Sequence, residues 1–287
     1  MHRPKVGSEL FGVKHLPPLS HTASRLLEAV ADPDIEIDEL AGIISQDPPL
    51  AARLLGIANS AYFGQSRPVN SIWEAIIRVF GINMVKSLAV SIALAGTFDP
   101  GSCRGFDLAD YWYSALATAS LSRLLAMQYT GEPRPDGDSL YLCGMLHNLG
   151  CLLLAHLFPT QFSQAIAEWT QDQSHAMRDL ELKYLDTDHL QAGEWLARRW
   201  HLPEAVADVI GYFDDAGYQG PHALHRSIVS GASRWVSVGS RTEGRDMADD
   251  QRLNSLPGIG DASLAHIGQR FQAQSEELRA AARILVV

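Results

Sequence analysis

The chain has 287 residues, of which 46% are hydrophobic and 20% charged, with 23 glycines and 14 prolines. That mixture excludes collagen-like, disordered and disulfide-scaffold classes and suits one large domain or two small ones. Lys and Arg number 23 against 33 Asp and Glu, and the net charge of −10 argues against a chain-wide nucleic-acid or anionic-membrane surface, though not against a local basic patch.

Three cysteines at wide spacing form no disulfide framework, and Met1 to Leu10 has no apolar core of signal-peptide length. A cytoplasmic protein is expected, with residues 1–15 as an N-terminal arm. Helical punctuation then runs along the chain. Pro17-Pro18 precedes an apolar stripe of Leu19, Ala23, Leu26, Leu27 and Val30, stopped by Asp32-Pro33-Asp34. Ile37 to Ile44 is the next face, ended by Asp47-Pro48-Pro49, because the residue before a proline leaves the helical region. Pro49 suits the first turn of a helix that continues to Ala58. Asn59 to Asn70 reads as a loop. Ser71-Ile72-Trp73-Glu74 is a capping box, in which Glu74 should reach back to Ser71. Helices to Phe80 and from Ile82 to Phe98 complete an N-terminal lobe over 16–98.

Asp99 to Gly105 reads as a linker. A second lobe over 106–240 is predicted to hold helices at Trp112–Met127, Asp138–Leu157, Gln161–Thr170 and Ser174–Leu185. Three more follow: Asp188 to about Trp200, Pro203–Phe213, and Pro221 to about Val238. Residues 241–255 are polar and aperiodic and are expected to be a flexible linker. The C-terminal part, 256–287, carries a final helix near Ala262–Leu285, expected to dock on the bundle or to contact a partner. Strand signals are nearly absent. The expected fold is all-α: a two-lobed helical bundle in which the lobes meet near Asp99–Gly105.

Leu140 to Phe158 carries no formal charge and is long enough to span a membrane. It also holds His147, Asn148 and His156, which are costly at mid-membrane, so a helix buried on all sides of a bundle is the better reading. Within it, Cys143, His147 and Cys151 recur at four-residue spacing and could share one helix stripe. Zinc would accept these residue types. However, a helix rises about 12 Å over eight residues, and ligands on one ion lie within about 4 Å of each other. Buried cysteines acting as small hydrophobes are the better account. No serine sits in a nucleophile elbow, and no phosphate-cradling loop precedes a helix. Leu256-Pro257-Gly258-Ile259-Gly260 is similar to the hairpin of helix-hairpin-helix DNA binders. Asp261 and the lack of nearby basic residues favour a plain turn into the last helix.

Several stretches of the N-terminal half form a specific pattern: Leu16-Pro17-Pro18-Leu19, Ile43-Ile44-Ser45-Gln46-Asp47-Pro48-Pro49-Leu50, Asn59-Ser60-Ala61-Tyr62-Phe63-Gly64 and Pro68-Val69-Asn70-Ser71-Ile72-Trp73. In these the chain resembles the HDOD family, a divergent branch of the HD phosphohydrolase superfamily. The resemblance runs from about Leu16 to the Asp215 region and, weakly, to about Gly239. It implies an all-helical, HD-like, mostly bacterial signalling or regulatory module, in a family linked to motility, biofilm and cyclic-dinucleotide signalling.

The resemblance also places the superfamily's metal positions. The first His slot is Ser114. The His-Asp pair is His147-Asn148. An accessory His is kept as His189, the paired His slot falls near Phe213-Asp214, and the last Asp slot falls near Ser233. His147 alone survives of the core ligands. A divalent cation held by one imidazole and neutral oxygens is poorly compensated, and without metal there is no activated water. The expectation is therefore a non-catalytic regulatory protein with no cofactor and no resident metal, which binds a signalling protein partner or a small ligand, a nucleotide included, and has no membrane or nucleic-acid role. The alternatives are a phosphohydrolase with a metal site rebuilt from His147, His189 and a nearby carboxylate such as Asp214, and a nucleic-acid-binding module using the 256–260 turn. Asn59, Ser60, Tyr62, Phe63 and Gly64 are expected to serve architecture: capping a helix end and filling a seam between helices.

Overall fold

The computed structural model of the chain describes residues 16–239, 247, 253, 256 and 258–286. These are helical throughout with no strand among them, so the chain is all-α. The expected arm, 1–15, and most of the expected linker, 241–255, lie outside the described residues.

Side-chain caps set the early helix starts. The Ser20 hydroxyl accepts from Ala23 N–H at 3.0 Å and opens α1 (His21–Ala31). After α2 (Ile37–Ser45), the Asp47 carboxylate accepts from Leu50 N–H at 3.1 Å and opens α3 (Pro48–Ala58). There the two prolines occupy positions that need no amide donor. Ser71 caps α4 (Ile72–Ala75) as predicted, accepting from Glu74 N–H at 3.1 Å. Glu74 itself reaches one residue further back than expected: its Oε2 accepts from Asn70 N–H at 2.9 Å. The helix continues as a π-helical turn, Ile76–Phe80, closed by Gly81 N–H on Ile76 C=O at 2.8 Å, with Gly81 at φ 75°. Then α5 (Ile82–Ala95) is buried on nearly every side. Even Lys86 is covered, and its ammonium donates to Asp32 C=O at 2.6 Å.

Asp107 caps α6 (Leu108–Gln128), which runs one turn further at its N-terminal end than expected. The predicted single helix Asp138–Leu157 is two helices, α7 (Gly137–Leu146) and α8 (Leu149–Leu157), broken at His147-Asn148. Asn148 at φ −105°, ψ 17° ends the helical register, so Cys143, His147 and Cys151 do not share one stripe. The stretch Gly137–Leu157 is long and apolar enough to cross a membrane, yet 83% of its most apolar window is buried within the bundle. Four helices follow: α9 (Pro159–Gln171), α10 (Met177–Leu185), α11 (His189–Arg199) and α12 (Glu204–Gly211). After α13 (Ala223–Gly239), the expected final helix is broken at Gln274 into α14 (Asp261–Ala273) and α15 (Ser275–Ile284).

One apolar core runs through both halves of the described chain. The 99–105 segment is pinned at its start, where Phe98 stacks on Trp200 with ring centroids 5.5 Å apart. Helix α15 packs on α6, α3 and the Ala61–Phe63 turn, so its apolar face is covered by this chain itself and is not left for a partner. Leu278 and Leu285 are buried there, and the Arg279 guanidinium lies 3.9 Å from the centre of the Tyr113 ring. The linker expectation for 241–255 also needs correction at two points, because Met247 and Leu253 are fully buried. The Leu256–Gly260 turn is sewn to the end of α6: Gly258 C=O accepts from both Thr130 N–H and its hydroxyl at 2.8 Å.

Candidate functional site

The Asn59–Gly64 motif closes the end of α3. The Asn59 amide brackets the Val69 backbone, donating to its C=O at 2.9 Å and accepting from its N–H at 2.8 Å. The Ser60 hydroxyl donates to Ile57 C=O at 2.7 Å. Phe63 sits edge-on between Tyr62 and Phe80, with centroids 4.8 Å away on each side, and Gly64 takes the left-handed backbone at φ 57°. Tyr62 reaches across to a hydrogen bond with Ser120 on α6.

The metal positions carried over from the resemblance are split between two settings. His147, at the break after α7, is buried. Its Nδ1 lies 2.7 Å from Gly144 C=O, its Nε2 lies 3.2 Å from the Ser233 hydroxyl on α13, and its ring stacks on Phe213 at 5.6 Å. These contacts assign an Nδ1–H tautomer in which Nε2 accepts from Ser233. Burial drives its pKa down to about 4, helped by His189 and opposed by the Gly144 bond. Ser114 is half-buried on α6. Asp214 is exposed, with its carboxylate 4.0 Å from the Arg178 guanidinium.

Asn148 and His189 belong to the second setting, a cleft of about 290 Å³ walled by α6, α8, α9 and α10. Asn148 Nδ2 donates to Tyr111 C=O at 3.4 Å, while its Oδ1 is buried without a hydrogen-bond partner. Asp188 caps α11 as predicted, accepting from Gln191 N–H at 2.8 Å and from Arg178 Nε at 2.6 Å. That cap sets His189 in place. Glu181 Oε2 accepts from both the His189 backbone N–H at 3.0 Å and its Nδ1 at 2.6 Å. Burial lowers the His189 pKa, but the Glu181 charge and hydrogen bond, with Asp188 and Asp214, outweigh it and leave the net shift upward. Glu181 is fully buried, and its Oε1 has no partner.

Sequence reasoning missed Glu181. A signal was present. Met177, Leu180, Tyr184 and Leu185 mark the buried stripe of α10, and Glu181 falls on the same face at helical spacing. A carboxylate on such a stripe is an anomaly worth following.

The retained residues do not fit the superfamily's divalent metal. His147 spends its one acceptor nitrogen on Ser233. Asn148 and Ser233 offer neutral oxygens, and Asp214 lies at the surface beside Arg178. Among the described residues, no three His, Cys, Asp or Glu side chains converge as a ligand set.

The HDOD domain family model matches residues 16–216. An uncharacterized protein of Treponema pallidum (strain Nichols) is 31% identical over 203 residues, covering 70% of this chain and 37% of that protein. A crystal structure from Marinobacter aquaeolei VT8, provisionally named a signal transduction protein, superposes with a TM-score of 0.83 at 24% identity, covering 100% of this chain and 62% of that one. A Shewanella amazonensis SB2B structure, provisionally named a phosphohydrolase, gives 0.77 at 22% identity, covering 98% of this chain and 97% of that one. At these identities the two structures show the shared fold. The chain spans less than two thirds of the Treponema and Marinobacter proteins.

Proposed function

The chain belongs to the HDOD family, and from that premise we propose that it is a non-catalytic regulatory module of the cytoplasm, working by binding a small ligand or a signalling protein partner. The observation that carries this reading is what has become of His147. Its Nε2 lone pair accepts a hydrogen bond from the Ser233 hydroxyl, and its Nδ1–H donates to Gly144 C=O, so the imidazole ties α7 to α13. A ring used this way is a structural polar knot. The rest of the ancestral ligand positions support the same reading. Asn148 and His189 face a cleft, and Asp214 pairs with Arg178 outside it.

A phosphohydrolase built from His147, His189 and a nearby carboxylate would need His147 to give up its bond to Ser233 and His189 its bond to Glu181. A nucleic-acid role for the 256–260 turn would need free amides, whereas Leu256 and Ile259 are buried and the Leu256 N–H already donates to Leu253 C=O at 3.0 Å.

The test is elemental analysis of the purified chain alongside hydrolysis assays on phosphomonoesters and cyclic dinucleotides. No stoichiometric transition metal and no turnover above background are expected, and Asn148→Asp should restore neither. Stoichiometric metal that His147→Ala loses, together with metal-dependent turnover, would replace this reading with the enzyme one.

A further inference from the structure

The cleft between α6, α8, α9 and α10 has a chemistry of its own. Phe106, Tyr111, Phe162, Ile166, Trp169 and Met177 give it apolar, largely aromatic walls. Asn148 and Glu181 line it too, and each carries a buried acceptor atom, Oδ1 and Oε1, without a hydrogen-bond partner. An unpartnered buried acceptor is costly, and a carboxylate oxygen more so than an amide oxygen. Two in one cleft call for a donor from outside the chain. Asp107 and Asp110 add two carboxylates at the exposed end, and no Lys or Arg lines the space. His189 directs its Nδ1 to the opposite oxygen of Glu181, leaving Oε1 without a hydrogen-bond donor.

This inference rests on the ligand-binding reading above and narrows it: from the cleft we infer that the ligand is a small organic cation, an ammonium, amidinium or guanidinium group on an aromatic or alkyl body. The N–H groups meet Glu181 Oε1 and Asn148 Oδ1, and the body lies between the rings, where a cation gains further from aromatic faces. The size of the cleft, about 290 Å³, sits at the small end of ligand pockets and leaves no room for a dinucleotide. The charge argues the same way. A phosphate would meet two acidic side chains and two lone acceptors with no Lys or Arg to receive it, and His189 Nδ1 already donates to Glu181.

The test is calorimetric titration of the full chain with benzamidinium and phenethylammonium, against benzamide as the neutral probe, and benzoate and guanosine monophosphate as anions. Both cations should bind, and the others should be weaker by at least about tenfold. Glu181→Gln should weaken benzamidinium by about tenfold or more while leaving the cleft's shape unchanged. Met177→Trp, which fills the cleft from its half-buried edge and leaves both acceptors in place, should abolish binding. Circular dichroism melts of both variants show whether each is folded. Binding of benzoate or the nucleotide as tight as the cations overturns the inference, as does wild-type affinity in both variants or the absence of binding by any probe. Nucleotide binding without hydrolysis sinks the cation inference alone. Metal-dependent turnover sinks the regulatory reading beneath it.

Discussion

The Ser233 hydroxyl donates to His147 Nε2 across 3.2 Å, and the opposite ring nitrogen donates to Gly144 C=O at 2.7 Å. The ring is thereby committed to its neutral form, with Phe213 stacked on its face. His147→Ala should cost about 1–3 kcal/mol, because the Gly144 carbonyl and the Ser233 hydroxyl lose their partner in a buried place. Urea denaturation of the two proteins measures it. An unchanged midpoint would mean that the knot contributes nothing to folding.

The two histidines should bend the pH–stability curve in opposite directions. Burial lowers His147 from 6.5 to about 4, so the unfolded chain takes up a proton that the folded chain refuses. Its contribution is complete above about pH 6.5 and is lost as pH falls toward 4, by up to roughly 3 kcal/mol. His225, lowered chiefly by burial, adds to that acid limb. For His189, burial is outweighed by Glu181, Asp188 and Asp214, and the shift is upward. Its contribution is complete below pH 6.5 and is lost as pH rises through the raised value. His147→Gln should flatten the acid limb and His189→Gln the alkaline one, as read from melting temperature against pH.

Tyr62 links the end of α3 to α6 through Ser120 and meets Phe63 edge-on. Tyr62→Phe keeps the ring and should cost about 1 kcal/mol. Tyr62→Ala should cost about 3 kcal/mol, since the seam is then left with a cavity. Unchanged thermal stability in the alanine variant would assign the motif to a binding surface.

Helix α15 holds α3, α6 and the Ala61–Phe63 turn together. Leu278→Ala should cost about 2–5 kcal/mol. Arg279→Ala should cost about 0.5–1 kcal/mol for the lost contact over Tyr113. A docked helix that mattered little would leave both variants at wild-type stability in a denaturant series.

The helices were legible where a local side chain starts or stops them. Ser71 caps α4 and Asp188 opens α11 where the sequence places them, whereas Asp107 opens α6 a turn before the apolar pattern begins. The breaks at His147-Asn148 and Gln274 were not legible, because neither carries a proline. The first is imposed by what the side chains meet across the bundle, Ser233 and the Tyr111 carbonyl. For the site, the residue types at the carried-over positions were readable, but their partition into a knot and a cleft is a tertiary fact. Glu181 shows the limit from the other side: its place on an apolar stripe was visible, but its pairing with His189 was not.

The backbone of α8 comes so near α11 that a Cβ on Gly150 would overlap the His189 carbonyl and lie 2.7 Å from Gly193 N, while one on Gly193 would lie 2.8 Å from Ile210 Cγ2. Two bare glycines thus lock the wall that carries Asn148 and His189. Mutational drift has no purchase there, because any side chain wedges the helices apart. The opposite wall, Ile166, Trp169 and Met177, is made of side chains from α9 and α10, and the glycine that presses on it, Gly105, meets the Ile166 side chain rather than backbone. Changes in what the cleft admits can therefore arise by single substitutions at Trp169 and Met177, with Asn148 and His189 held fixed. Selectivity in this molecule is adjustable from one side only.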